Sequence, residues 1–134
     1  MLISDSILQD VRRLVAEILE LDLAEVRAES LFFDDLGGES IELIELSFHL
    51  DKLYGVRVRF QDLAADELHF DDQGRLTADS LALLKRKYPF LKLDGFESRP
   101  LERSTAFLTI EAIAGFVQMA VNAKPAATAA APGP

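Results

Sequence analysis

The 134-residue chain has no cysteine and no tryptophan, and only two histidines. Without cysteine there is no disulfide framework, no thiolate metal site and no cysteine nucleophile. Any thioester chemistry would need sulfur from an attached group. Basic residues are scarce too: 14 Lys and Arg against 23 Asp and Glu leave a formal charge of −9. Such a surface repels phosphate backbones and anionic membranes, so neither nucleic acid nor membrane is expected as a partner. It suits an encounter with basic proteins, since complementary fields raise association rates. No apolar run approaches the roughly 20 residues that span a bilayer. The opening "MLISDSILQD" has no basic region followed by an apolar stretch, so it does not read as a secretory leader. The expectation is a soluble, monomeric, cytoplasmic protein.

What remains is a normal globular mixture, 49% hydrophobic and 28% charged, long enough for one domain with a modest core. Residues 6–19 place Ile7, Val11, Leu14, Val15 and Ile18 at helical spacing, with Ser4, Asp5 or Ser6 as the cap. Arg12 and Arg13 read as exposed surface on that helix. A long loop follows, with apolar anchors at Leu23, Val26, Leu31, Phe33 and Leu36. A second helix is predicted from Ser40 to Tyr54, stopped by Gly55. At about 100° per residue, Leu43, Leu46, Leu50, Leu53 and Tyr54 share a core arc that includes Ser47. Ile41, Ile44 and Phe48 form a second, narrower stripe, bordered by Glu45 and Asp51. Residues 109–121 predict a last helix capped by Thr109, with Ile110, Ile113, Val117 and Ala120 or Val121 inward.

Between Phe60 and Arg103 the pattern is weaker. "QDLAADEL" reads as one short helix and "TADSLALLKRKY" as another, capped by Thr77 and stopped before Pro89. "YPFLKLDGF" reads as extended, with a turn at Asp94-Gly95. "HFDDQGRLT" sets Asp71, Gln73 and Gly74 near calcium-loop positions. It starts with His69 and has Ser80 where a bidentate glutamate belongs, so a turn is expected and no metal site. Lys85, Arg86 and Lys87 offset the dipole at a helix end. Leu76, Leu81, Leu84, Phe90, Leu91 and Phe96 must be buried somewhere, and the expectation is an extension of the core beside the second and last helices. The tail "AKPAATAAAPGP" is Ala/Pro low complexity, read as disordered or as a linker.

The informative junction is "FFDDLGGESIELIEL", where an acidic, glycine-bearing loop meets Ser40 at a helix start. A catalytic serine needs a base within reach. His49, nine residues along the same helix, lies roughly 13 Å away on the opposite side. His69 is in the less readable region, and nothing in the sequence requires it near Ser40. The run also lacks the strand-turn-helix context of a nucleophile elbow. No catalytic residue is assigned. Ser40 stands where an N-cap belongs, yet a cap requires neither two preceding glycines nor surrounding acids. Gly37 and Gly38 clear the approach to the hydroxyl, and a helix N-terminus stabilises a phosphoester attached there.

"SLFFDDLGGESIELIEL" resembles the attachment motif of the acyl carrier proteins, in which a serine carries 4′-phosphopantetheine. The family's acid-serine-leucine/isoleucine motif opens the second helix of a four-helix bundle, and Glu39-Ser40-Ile41 occupies those places, with Glu39 for the usual aspartate. The resemblance implies an all-α bundle and a protein that performs no chemistry itself. Ser40 would be the modified residue. Glu39, Glu42 and Glu45 would be acids read by partner enzymes, and Ile41, Ile44 and Phe48 apolar partner contacts. The partners implied are a phosphopantetheinyl transferase and acyl-loading and acyl-processing enzymes. The likeness covers residues 5–60, resumes at "FLTIEAIAGFV", and leaves about 61–104 as an insertion before the last helix. The expected organisation is a carrier domain over 1–122 and a tail over 123–134. The cargo implied is an acyl group, as in fatty acid or polyketide synthesis. "LGGES" with "FF" upstream also resembles peptidyl carriers of nonribosomal synthetases. A third reading is an unmodified adaptor using the same helix.

Overall fold

The computed structural model describes residues 2–58, 60, 69–91 and 108–124. It contains α1 (Asp5–Leu19), a 3-10 turn (Leu23–Glu25), α2 (Ser40–Tyr54), α3 (Ala78–Lys87) and α4 (Ile110–Asn122). The described residues form no strand, only two isolated bridges, Leu31 with Thr109 and Phe70 with Leu76. The all-α bundle is therefore as expected.

Each long helix begins on a recognisable cap. Ser4 Oγ accepts from Ile7 N–H at the start of α1, Thr77 Oγ1 from Ser80 N–H at α3, and Thr109 Oγ1 from Ala112 N–H at α4. These bonds satisfy amides that have no intrahelical carbonyl. Gly55 closes α2 in the left-handed region, at φ 64°. α1 packs against both α2 and α4, and Ile7, Val11 and Val15 meet Leu43, Leu46, Leu50, Ile110, Ile113 and Val117 in one core. Ser47 is buried in the α2 arc and donates its hydroxyl to Ile44 O at 2.7 Å.

Three expectations about burial need correction. Leu53 is 54% exposed: it lies at the edge of the arc in the last turn, and burial stops at Leu46 on that flank. Leu23 is likewise exposed, because the 3-10 turn carries it outward. Arg12 is not free surface. Its guanidinium donates to Val26 O (2.6 Å), Leu23 O (3.1 Å) and Gln9 Oε1 (2.7 Å), tying the loop to α1. Arg13 is exposed as expected and pairs with Asp10.

Tyr54 joins α2 to α1 by donating its hydroxyl to Asp10 Oδ2. Burial first, and then that carboxylate, push the phenol above its ordinary range. The folded state thus favours the protonated phenol, so this contribution is complete below about pH 10 and falls as pH rises further. Stability should decline in that alkaline window, and Tyr54→Phe should lose both the decline and a late phenolate absorbance step. An unchanged alkaline profile in the variant would show the link to be idle.

The segment around α3 joins the same core through Leu76, Leu84 and Leu91, which are buried, with Leu81 and Phe90 partly buried. Its aromatic residues lie on α4: the rings of Tyr88 and Phe90 stand 4.8 and 5.0 Å from Phe116, and Phe60 stands 5.8 Å from it. Phe90 packs where Gly115 has no side chain. Tyr88–Leu91 is a turn rather than extended chain, with Leu91 N–H donating to Tyr88 O at 3.0 Å. Asp71 organises the preceding turn by accepting from the N–H groups of Gln73 and Arg75 and from Arg75 Nε. Those bonds, the Arg75 amide foremost, hold its carboxyl below the usual range. No group of ligand-type side chains that could hold a metal occurs among the described residues. The expected helix at 61–68, the Asp94-Gly95 turn, Phe96 and the tail beyond 124 lie outside those residues.

Candidate functional site

The loop before α2 is built on Phe32. Residues 31–38 coil tightly, with Asp35 and Leu36 N–H donating to Leu31 O, Gly37 N–H to Phe33 O and Gly38 N–H to Phe32 O. The Asp35 carboxylate accepts from Leu31 N–H at 2.7 Å. Phe32 is fully buried, edge-on to Phe33 at 5.1 Å. The loop is strapped to the start of α4: Phe32 N–H donates to Leu108 O, Ile110 N–H to Ser30 O and Glu111 N–H to Ala28 O. The connection between Leu19 and Ser40 is thereby held to the start of α4 at Ala28, Ser30 and Phe32.

The two glycines serve this loop. Gly37 sits at φ +71°, where a side chain is strained, and Gly38 lies so close to Phe32 that a Cβ would fall 2.2 Å from Cε2 of the ring. Local geometry is what requires them. Phe32 was the residue missed at this site. Its signal was the aromatic six positions before a glycine, but the pairing is made by the fold.

Ser40 is exposed and is the first residue of the 15-residue α2. It is not the cap. Glu39 is, in extended conformation at φ −119° and ψ 163°, in a capping box with Glu42. The expectation that Ser40 caps α2 followed the preference for serine at that position. The glutamate three residues after Glu39 completes the box one residue earlier.

The remaining predicted site residues fall along α2 as their spacing requires. Ile41, Ile44 and Phe48 are 71%, 38% and 63% exposed and form one apolar stripe. Glu39 and Glu45 are exposed beside it, and His49 Nε2 stands 3.9 Å from Glu45 Oε2. Glu42 is half-buried and turned back onto the loop, its Oε1 accepting from Glu39 N–H at 2.9 Å. An exposed serine at a helix start, with apolar and acidic side chains down one face, can carry a group and present it.

The comparisons agree with that geometry. Residues 9–73 match the family described as "Phosphopantetheine attachment site". The chain is 39% identical over 57 residues to "Polyketide-8 synthase acyl carrier protein 2" of Streptomyces avermitilis, spanning 42% of this chain and 66% of that protein, just under two thirds. It is 38% identical over 58 residues to "Acyl carrier protein" of an Exiguobacterium species, spanning 43% of this chain and 73% of that one. The chain belongs to the acyl carrier protein family. It is a carrier and not an enzyme, and its prosthetic group is 4′-phosphopantetheine.

The residues present fit that group. Ser40 is exposed at the start of a helix whose dipole favours a phosphodiester. When bound, the group supplies the thiol that this cysteine-free chain lacks. No helix among the described residues is long and apolar enough to cross a membrane.

Proposed function

We propose that the protein holds an acyl group as a thioester on phosphopantetheine attached to Ser40, and presents it to biosynthetic enzymes. The observation that carries this is the exposed Ser40 at the first position of α2, within the matched region and next to a loop pinned by Phe32. The carrier domain is taken as residues 1–122, with about 61–104 as an elaboration before α4 and 123–134 as a tail, acting in the cytoplasm. Its partners are a phosphopantetheinyl transferase and acyl-loading and acyl-processing enzymes. A relative named for a polyketide synthase favours an acyl cargo over a peptidyl one. Mass spectrometry of protein purified from its native host tests this directly. An acylated phosphopantetheinyl peptide is expected, whereas an aminoacyl cargo would favour the peptidyl reading and an unmodified chain the adaptor.

The partner face is read as Ile41, Ile44 and Phe48 with Glu39 and Glu45 at its edge. Phe48→Ala and Glu45→Lys should each leave stability within about 0.5 kcal/mol, because both side chains are exposed. Both should slow transfer to Ser40. The Glu45→Lys deficit should shrink as salt is added, and the Phe48→Ala deficit should persist. Rates equal to wild type in both variants would remove the face from the account.

A further inference from the structure

We propose that Glu42 is a positioning residue for Ser40, holding the loop-to-helix junction through the Glu39 amide rather than offering its charge to partner enzymes. The inference rests on the reading of Ser40 as the attachment residue. Glu42 Oε1 accepts from Glu39 N–H at 2.9 Å, and the side chain is half-buried while Glu39, Ser40, Ile41 and Glu45 around it are exposed. The junction needs such a bond. Glutamate is not among the favoured N-cap residues, so the start of α2 relies on the reciprocal box, in which the Glu39 side chain accepts from Glu42 N–H and the Glu42 side chain from Glu39 N–H. Upstream, Gly38 is pinned by its N–H to Phe32 O, and downstream Leu43 N–H donates to Glu39 O at 3.0 Å. The Glu42 bond spans the interval between them, where Ser40 sits. With it in place, Ser40 begins the helix at a fixed height and its hydroxyl is presented in one orientation. Without it the first turn frays and the hydroxyl samples many.

The two roles separate in a pair of variants. Glu42→Gln keeps an oxygen acceptor of the same reach and removes the charge, whereas Glu42→Ala removes both. Amide hydrogen exchange at Glu39 is measured on the unmodified full chain, and the rate of phosphopantetheinyl transfer from coenzyme A is measured at low and high salt. Glu42→Gln should keep most of the Glu39 protection and most of the transfer rate at both salt levels. Glu42→Ala should lose up to about tenfold in protection, the range of one net hydrogen bond, and should transfer more slowly at both. Equal loss in both variants at low salt, vanishing at high salt, would show that the enzyme reads Glu42 as a charge and overturn the proposal. Unchanged Glu39 protection in Glu42→Ala would overturn it as well. A wild type that accepts no group would remove the reading of Ser40 and leave the exchange comparison to decide the role of Glu42.

Discussion

Replacing Gly38 by alanine should cost about 1–3 kcal/mol, the usual range for overpacking a filled site, and should slow modification two residues away at Ser40. The added Cβ would lie 2.2–2.7 Å from three ring atoms of Phe32. That ring cannot step aside. It is fully buried, it meets Phe33 edge-on, and its backbone is bonded to Leu108 on one side and Gly38 on the other. Removing the ring in Phe32→Ala should cost more, about 3–5 kcal/mol, as large-to-small changes at buried aromatics do. The double variant Phe32→Ala/Gly38→Ala should then be little worse than Phe32→Ala alone, because the clash has gone with the ring. Urea unfolding midpoints measure all three. Additive losses would show that Gly38 is required for some reason other than Phe32. Gly37→Ala is a useful contrast. No atom lies within 4 Å of its added Cβ, so only the backbone strain at φ +71° remains.

Much of the bundle was legible because it depends on local chemistry. Thr77, Thr109 and Gly55 mark helix ends by hydrogen bonds and dihedrals confined to a few residues, and the described helices stop and start there. The two stripes on α2 follow from the helical angle alone, and burial divides them, with Ile41, Ile44 and Phe48 outside. Features that need a distant partner were not legible. Arg12 looks like any surface arginine until the loop carbonyls of Leu23 and Val26 reach it. Phe32 lies beside Phe33 in sequence, and only the strap to Leu108 shows which of the two is fully enclosed. Gly37 and Gly38 suggested an open approach to Ser40, whereas their positions are set by a left-handed turn and a ring contact. At the junction itself, serine's preference for capping outweighed the Glu39 to Glu42 spacing, and the cap moved by one residue.

That one-residue shift changes what Ser40→Ala should do. Glu39 holds the cap position, so the alanine variant should stay folded without the loss expected of a removed cap. A folded variant makes the chemical test clean. Supplied with coenzyme A, magnesium and a transferase of broad specificity, the wild type should gain the mass of one phosphopantetheinyl group. Fragmentation should place that group on Ser40 and not on Ser47, which is buried and bonded to Ile44 O. Ser40→Ala should gain nothing under the same conditions. A folded wild type that stays unmodified, or an alanine variant that is modified elsewhere, would contradict the assignment of Ser40 as the attachment residue.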